Sequence, residues 1–432
     1  MPGVPVEERM LTGLFLQSNE PNNLLEEFKP LWNQKTRLRF SEKFSFLQLD
    51  DYGSALFPWV DELSNGVNAE EFALSHLVQP DLFLRLRPGK EEVVKQKLRK
   101  AGIPFQLISN SCLALLNSSK IDGIIELDKE AVVQDYSSQR VGELMETVRP
   151  GRSDSKSAQD YSSQRVGELM ETVRPGRSDS NSVQDNNSQR VGELMETVRP
   201  GRSDSNSAQD NNSQRVGELM ENVRPGRSDS KSVQDYSSKR VGELMENVRP
   251  GRSDSESLRV WDCCAASGGK SIMAKDLLGD IDLIVSDKRE SILLNLEKRF
   301  QQAGIKDYES FVADLSKPLQ NSLSTFNLII ADVPCTGSGT WSRTPEQLFY
   351  FQAAAIDEFA ALQKKIVSNV ITQLEPGGYF LYITCSVFKK ENEEVVDFIK
   401  ENFHLQLLKI ELLNGYSLKA DTLFAALLKK PL

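Results

Sequence analysis

The C-terminal part of the chain is predicted to be an α/β domain with a Rossmann-like, doubly wound and mostly parallel sheet. Apolar runs of strand length alternate there with helical segments. Each run ends in a polar residue or a cysteine, as buried parallel strands do when their carboxyl ends line a ligand crevice. The runs are LRVWD, IDLIVSD, ESFVAD, FNLIIAD and GGYFLYITC. We therefore expect a ligand site at one edge of this sheet, within residues 259–432.

A small α/β unit is predicted ahead of this domain, over residues 81–133. DLFLRLR alternates from residue 81, the segment 91–100 has helical periodicity, and IPFQLI follows from Ile103, so the order is strand, helix, strand. Residues 1–80 have a mainly helical pattern without recognisable chemistry. The unit contains the most basic stretch of the chain, formed by Arg85, Arg87, Lys90, Lys95, Lys97, Arg99 and Lys100. Such a stretch can be a solvated face, or it can hold RNA.

An internal repeat fills residues 134–258. The dipeptide Gln-Asp recurs every 25 residues, at Gln134, Gln159, Gln184, Gln209 and Gln234. In the first copy Val141, Leu144, Met145 and Val148 fall on one face of a helix. Asp135 or Ser137 can cap the helix, and the Pro-Gly pair at 150–151 ends it. We therefore predict five single-helix repeats joined by Gly-Arg-Ser-Asp-Ser linkers.

A helix of this length is marginal alone, so at least one copy should pack on the rest of the protein. The last copy, 234–249, is the expected one because it runs directly into the first strand of the sheet. The other copies are interpreted as a tolerated expansion, since removing four of them leaves 332 of the 432 residues. The alternative is an array that binds a partner protein or positions the flanking domains.

Charge and cysteine content restrict the function further. The net charge of −10 argues against general nucleic-acid binding, so any RNA surface must be a local patch. Five cysteines without paired CxxC spacing favour neither a disulfide framework nor a metal site. No leader and no apolar stretch of membrane-spanning length is visible, which predicts a cytoplasmic protein without a membrane contact.

A cofactor site is predicted where the first strand of the sheet ends. Small residues in DCCAASGGK precede a helix, where the backbone must approach a ligand closely. Asp287 closes the second strand, where an acid can bind ribose hydroxyls, and Asp314 closes the third, where a carboxylate can reach an adenine amino group. Together these features indicate a cofactor that contains adenosine.

Two thiols are predicted at adjacent strand ends. The fourth strand leads into Asp332 and Cys335, and the fifth leads into Cys385. Carbon 5 of cytosine accepts a methyl group only after a thiolate has added to carbon 6, and a second group must then help to remove the carbon 5 proton. A carboxylate such as Asp332 can hold the ring nitrogen side as charge develops. Two thiols beside an acid therefore fit cytosine methylation better than a pair of buried apolar thiols.

The combination of QDYSSQ, DCCAASGGK, DVPCTGSGTW and TCS resembles the Fmu/Sun family of RNA cytosine-5 methyltransferases, which includes the ribosomal RNA methyltransferase B type. The resemblance covers roughly 81–158 and 258–432. It implies a class I methyltransferase domain, S-adenosylmethionine as cofactor and ribosomal RNA as substrate, with transfer RNA as the alternative.

The resemblance also implies residue roles. Cys385 is expected to be the nucleophile, Cys335 to assist product release, and Lys270 and Asp332 to support the cytosine. The residues expected around S-adenosylmethionine are Cys264, Ala265, Ala266, Ser267, Gly268, Gly269, Lys270, Asp287, Asp314 and Asp332.

The sequence departs from the family pattern at two further places, apart from the repeats. Ser267 stands where the family usually has proline, which leaves the turn possible, and Thr422-Leu423 stands where a Gly-Phe pair is common. Three other functions are compatible with parts of the pattern. An amino-group methyltransferase would need no thiol at Cys385, and a DNA cytosine methyltransferase would need no second cysteine. A non-catalytic RNA-binding or ribosome-assembly factor would not need either thiol.

Overall fold

The computed structural model describes residues 5–49, 53, 56–148, 257–319 and 325–432. The second to fifth repeats lie outside the described residues, and so do the predictions made for them. The chain divides into two compact units, of which the first contains residues 5–48 and the second contains 49–148 and 257–432. The domain limits at 80, 133 and 258 stay a prediction.

The first unit has four short helices. Leu11, Phe15 and Leu25 are buried between them, and the side chain of Asn22 caps the second helix by accepting a hydrogen bond from the amide of Leu25. The helices are α1 (Val6–Gln17), α2 (Asn23–Phe28), α3 (Pro30–Asn33) and α4 (Phe40–Phe46).

The second unit begins with a helix and a small sheet. The sheet has the order β2-β3-β1-β4 and its pairs are antiparallel, with the amphipathic helix α6 packed on it through Val94 and Leu98. The strand-helix-strand prediction is confirmed, and two further strands complete the sheet. The elements are α5 (Ala69–Ser75), β1 (Leu82–Leu86), α6 (Glu91–Lys100), β2 (Phe105–Ser109), β3 (Cys112–Leu115) and β4 (Ala131–Val133).

The first repeat copy forms helix α7 (Tyr136–Glu146), which follows β4 directly. Asp135 is its N-cap, since its side chain accepts a hydrogen bond of 2.8 Å from the amide of Ser137. The predicted face of Val141, Leu144 and Met145 is fully buried. The first copy docks because β4 pairs with β1 and delivers it to this place, whereas the predicted docking of the last copy lies outside the described residues.

The large sheet has seven strands in the order β10-β11-β9-β8-β5-β6-β7. Strands β5 to β9 pair in parallel, and β10 and β11 add an antiparallel edge beside β9. The predicted Rossmann-like, mostly parallel sheet is confirmed. Its strands are β5 (Leu258–Asp262), β6 (Ile281–Asp287), β7 (Glu309–Val312), β8 (Phe326–Asp332), β9 (Leu374–Thr384), β10 (Gln406–Leu413) and β11 (Leu423–Lys429).

Helices cover both faces of this sheet, as the doubly wound pattern requires. One core contains the docked α7 with α8 and α9, and the other contains α11 and α12. Gly142 allows the close approach of α7 to α8, because a Cβ atom there would lie 2.8 Å from Cδ1 of Leu277. The helices are α8 (Gly269–Leu278), α9 (Glu290–Ala303), α10 (Pro345–Tyr350), α11 (Ala354–Val370) and α12 (Glu393–Phe403).

Some side chains of the basic stretch form ion pairs within the fold. Arg85 and Arg87 both form ion pairs with Asp276 of α8, at 2.6 and 2.7 Å, and Lys97 pairs with Glu130. Arg85 is also buried. These side chains therefore join the small sheet to the large one or stabilise the small sheet, and RNA binding by this part of the chain stays a prediction.

Candidate active site

The loop between β5 and α8 forms one wall of the site at the carboxyl edge of the large sheet. Ala266 and Gly268 have positive φ values of 46° and 84°, which turn the chain into the N-terminus of α8. Gly268 also permits close packing, because a Cβ atom there would lie 2.7 Å from the Phe300 ring. The main-chain amides of the first turn of α8 are thereby presented at the sheet edge.

Neighbouring side chains hold this loop in place. The amide of Ala266 donates to Oδ2 of Asp287 at 3.1 Å, and the guanidinium of Arg299 donates to the carbonyl and hydroxyl oxygens of Ser267 at 2.9 Å each. A proline could not form the hydroxyl contact. The departure at Ser267 therefore keeps the turn and adds a hydrogen bond.

The two predicted cofactor carboxylates lie at successive strand ends. Asp287 ends β6 and is nearly buried, with its oxygens bonded to Ala266 and Arg289. Asp314 follows β7 and lies 3.3 Å from Nζ of Lys288. Hydrogen bonding by Ser316 lowers the pKa of Asp314, so this carboxyl is ionised at neutral pH. Both acids lie at the carboxyl edge of the sheet, and their role in binding adenosine stays a prediction.

Lys270 and Asp332 form an ion pair between the loop and β8. Nζ of Lys270 lies 2.9 Å from Oδ2 of Asp332, and both side chains are largely shielded from solvent. Burial acts to lower the pKa of Lys270, but Asp332 and Asp262 outweigh it and the pKa is raised overall. A fixed positive charge therefore faces the carboxyl end of β8.

The two cysteines meet in front of this ion pair. Sγ of Cys335, on the segment after β8, lies 3.1 Å from Sγ of Cys385, at the end of β9. The segments are also joined by the backbone, since the amide of Gly339 donates to the carbonyl of Cys385 at 2.9 Å. The structure thus brings together the four residues that were predicted to carry chemistry, including Lys270 and Asp332.

The two thiols differ in their surroundings. The hydrogen bond with Cys385 and burial raise the pKa of Cys335 well above its ordinary value, and the charge of Glu391 adds to the effect. Cys335 therefore stays protonated at neutral pH and can donate its hydrogen to Cys385. A protonated Cys335 in contact with Cys385 fits a pair in which Cys385 attacks and Cys335 assists.

Two buried acids in the site were missed by the sequence reasoning. Asp262 is fully buried, accepts a hydrogen bond of 2.6 Å from Ser271 and has one oxygen without a hydrogen-bond partner. Burial raises the pKa of Asp262 to about 7. Glu391 is also fully buried and contacts both cysteine segments. Asp262 could have been recognised as a fourth strand-end acid, whereas Glu391 has the sequence context of an ordinary acid before a helix.

The residues that form this site match a known family. Residues 252–426 match the model of the 16S rRNA methyltransferase RsmB/F family. This range contains every predicted site residue, from Cys264 to Cys385. Residues 252–426 are thus similar to the RsmB/F methyltransferase family, and the match covers less than half of the 432 residues. The resemblance to Fmu/Sun proteins of the methyltransferase B type is thereby confirmed for this domain.

Curated relatives of the RsmB/F domain carry matching names. Ribosomal RNA small subunit methyltransferase F of Aeromonas salmonicida is 29% identical over 143 residues, which are 33% of this chain and 30% of the relative. Ribosomal RNA small subunit methyltransferase B of Pasteurella multocida is 32% identical over 154 residues, which are 34% of each chain. The match therefore spans about a third of the length of these relatives.

A solved structure shows a similar fold over most of the chain. The methyltransferase homolog protein from Pyrococcus horikoshii has a TM-score of 0.51 and 16% sequence identity, and the likeness covers 88% of this chain and 93% of that one. Within the described residues no helix is both long and apolar enough to cross a membrane. In the same residues His, Cys, Asp and Glu side chains form no group of three that could bind a metal.

Proposed function

We propose that this protein is an S-adenosylmethionine-dependent RNA (cytosine-5)-methyltransferase that acts on ribosomal RNA and uses Cys385 as a covalent nucleophile. The observation that carries the proposal is the pair of sulfur atoms 3.1 Å apart beside the Lys270–Asp332 ion pair. Transfer of a methyl group to an amino nitrogen needs no thiol, and a non-catalytic RNA-binding protein needs neither the thiols nor the ion pair.

The proposed cofactor residues fit S-adenosylmethionine in their chemistry. Asp287 and Asp314 offer carboxylates for ribose and adenine groups, and the loop of Cys264, Ala265, Ala266, Ser267, Gly268 and Gly269 brings backbone close to a ligand. A Cβ atom at Gly269 would meet no other atom within 4 Å, so the space beside the start of α8 is open. When bound, S-adenosylmethionine supplies the methyl group.

The residues of the chain are assigned the following steps. The Cys385 thiolate attacks carbon 6 of cytosine, so that an S–C6 bond forms and the electron pair of the C5–C6 double bond makes carbon 5 nucleophilic. Lys270 carries the positive charge that balances the negative charge developing on the ring nitrogen side, and Asp332 holds Lys270 in place and can accept a hydrogen bond from the cytosine amino group. After methylation the carbon 5 proton leaves to a base and the S–C6 bond breaks, which returns the thiolate of Cys385. Cys335, in contact with Cys385, assists this last step.

The names of the relatives, which refer to ribosomal RNA, support ribosomal RNA as the substrate of this protein. The target cytosine must leave its base stack, because the thiolate approaches carbon 6 from one face of the ring and the methyl donor approaches carbon 5 from the other. We therefore expect an unpaired or locally opened cytosine.

Cysteine variants test this proposal. Cys385→Ala should abolish both methylation and the covalent RNA adduct, because no sulfur then attacks carbon 6. Cys335→Ala should accumulate the adduct, because release is impaired. Denaturing gels of protein incubated with RNA and S-adenosylmethionine separate the two results, and Cys112→Ala, which removes a buried thiol from the small sheet, is the matched control. A stable adduct with Cys385→Ala would reverse the assignment.

The substrate is tested separately. Bisulfite sequencing of RNA from cells with and without the gene should show the loss of one or more 5-methylcytosines from small-subunit ribosomal RNA. Loss from transfer RNA alone would refute the ribosomal assignment. Mass spectrometry that finds methylation on an amino nitrogen would refute the cytosine carbon 5 chemistry itself.

A further inference from the structure

Glu391 lies between β9 and α12, six residues after Cys385, and its side chain has no exposure to solvent. A carboxylate in such a place is unfavourable unless hydrogen bonds replace the lost hydration. The Glu391 carboxylate must therefore be stabilised by the hydrogen bonds around it.

Each of the two carboxylate oxygens of Glu391 accepts two hydrogen bonds. Oε1 accepts from the hydroxyls of Thr336 and Ser386, each at 2.6 Å. Oε2 accepts from the amide of Thr336 and from Nε2 of Gln363, each at 2.9 Å. Four donors around two oxygens fit the ionised carboxylate, which has about four acceptor positions and no proton to place.

The two hydroxyl residues directly follow the two cysteines in sequence. Thr336 follows Cys335 and Ser386 follows Cys385. The hydroxyl oxygens of Thr336 and Ser386 are themselves 3.2 Å apart. Glu391 thus bridges the two segments at the residues that directly follow the two cysteines.

Further hydrogen bonds, made by Ser338 and Gln363, lie around the same two cysteine segments. The hydroxyl of Ser338 lies 3.2 Å from that of Ser386 and accepts a hydrogen bond of 2.9 Å from the amide of Val387. Gln363 of α11, which donates to Glu391, also donates to the carbonyl of Pro334 at 3.0 Å. The residues that follow both cysteines, and Pro334 through Gln363, are therefore linked to one buried carboxylate.

We propose that Glu391 is a positioning residue that holds the thiols of Cys335 and Cys385 at their working separation. Attack at carbon 6 and release from it require both sulfurs at one cytosine ring, so a change of an ångström in their spacing affects the reaction without affecting cofactor binding. The catalytic part of this inference rests on the proposed function, whereas the spacing of the thiols does not.

Glu391→Gln is the informative variant because it keeps size and shape. The amide is neutral and has one acceptor oxygen, so either the hydroxyls of Thr336 and Ser386 must turn to accept from its nitrogen or that nitrogen faces the N–H groups of Thr336 and Gln363. In both cases the charge-assisted bonds of the bridge are lost. Ser386→Ala removes a single bond of the bridge and serves as the milder variant if Glu391→Gln does not fold. Ile399→Ala is the control, since it opens a cavity in the core under α12 and removes none of the hydrogen bonds around Glu391.

The first measurement needs no RNA. Diamide takes up the two thiol hydrogens and leaves a Cys335–Cys385 disulfide, whose rate of formation depends on the spacing of the two sulfurs. Peptide mapping by mass spectrometry should show that Glu391→Gln slows this cross-link at least tenfold, that Ser386→Ala slows it less, and that Ile399→Ala leaves it within twofold of the parent. A cross-linking rate in Glu391→Gln equal to that of the control would overturn the proposal.

The second measurement uses small-subunit ribosomal RNA transcribed with 5-fluorocytidine, on which the adduct cannot be released because carbon 5 has no proton to lose. Adduct formation should fall at least tenfold in Glu391→Gln, while the Kd for S-adenosylmethionine stays within twofold. Adding Ser386→Ala to Glu391→Gln should lower the rate little further, since both act on one bridge. If the parent protein forms no adduct, the proposed function fails, and the diamide result alone decides the role of Glu391.

Discussion

Ser137 in the docked repeat should decide which repeat sequences the catalytic domain accepts. The Ser137 side chain is fully buried, and its oxygen would lie 2.6 Å from a Cβ atom at Gly415, so the site has no room for a larger side chain. The third and fourth copies have asparagine at this position, Asn187 and Asn212, whereas the second and fifth copies have serine. Ser137→Asn should therefore prevent good docking of α7.

The stability that Ser137→Asn should remove is the sum of two costs. Overpacking a close-packed site costs about 1–3 kcal/mol, and a buried amide without partners costs about 1–3 kcal/mol more. Their sum, about 2–6 kcal/mol, approaches the gain from burying two or three large apolar side chains of α7, at about 1.5–3 kcal/mol each. At roughly 2 °C per kcal/mol for a unit of this size, the melting temperature should fall by about 4–12 °C.

Three chains of 332 residues test this directly. Deleting 149–248 leaves the first repeat helix, and deleting 134–233 leaves the fifth, which differs only by lysine for Gln139 and asparagine for Thr147. Deleting 134–183 and 199–248 leaves the third, which differs from the first only by asparagine for Tyr136 and Ser137. Thermal denaturation should place the first and fifth chains within a few degrees of each other and the third clearly below them. A third chain as stable as the first would show that the Ser137 site is not selective.

Two further variants test the fold and its pH dependence. Asp276→Asn should lower the free energy of unfolding by about 3–5 kcal/mol in urea denaturation, because Arg85 and Arg87 would lose their charged partner. Asp282→Asn, the control, breaks the half-exposed pair with Arg259 and should cost less than about 1 kcal/mol. Similar losses for both variants would refute this interpretation of the Asp276 ion pairs. Burial raises the pKa of Asp262 to about 7, so the folded state binds this proton more tightly than the unfolded state. The protonated carboxyl therefore contributes its full stability below about pH 4. This contribution, roughly 4 kcal/mol, is lost as the pH rises to about 7. Asp262→Asn should flatten the dependence of unfolding free energy on pH across this range, and an unchanged slope would contradict the shift.

The large sheet was predictable because its signals are local. The runs 281–287 and 326–332 have the bounds of β6 and β8, since a buried parallel strand is apolar along its whole length and ends where the polar residue begins. The connection of such strands through helices then places their carboxyl ends along one edge, which brings Lys270, Asp332 and the two cysteines together. Both the fold and most of the candidate site follow from this rule.

The role of the basic stretch was not predictable, because a charge has the same local sequence whether it faces solvent or a partner. Arg85 and Arg87 bind Asp276, which lies 191 and 189 residues further along the chain. Glu391 is a similar case, since its partner Thr336 precedes it by 55 residues. Only the three-dimensional arrangement assigns such groups.

Which repeat copy packs on the large sheet also depends on a contact that the helical periodicity of the sequence cannot show. All five copies have the same apolar face, so the stripe alone cannot rank them. The residue that ties the first copy in place precedes its helix: Gln134 accepts a hydrogen bond of 2.7 Å from Arg85 of β1. Because β4 pairs with β1 and ends one residue earlier, the first copy reaches its place without an intervening loop.

The docked copy is in turn connected to the cysteine site. Its cap residue, Asp135, binds Arg343 at 2.7 Å and the amide of Asp421 at 3.0 Å, and Arg343 also binds the carboxylate of Asp421. Thr422, the neighbour of Asp421, donates its amide to the carbonyl of Gly339, whose own amide donates to Cys385. A continuous set of contacts thus runs from the cap of the repeat helix to the segment of the proposed nucleophile. One repeat helix is therefore a structural part of the unit that contains the cysteine site, and we expect the chain to tolerate changes in copy number only as long as one compatible copy remains.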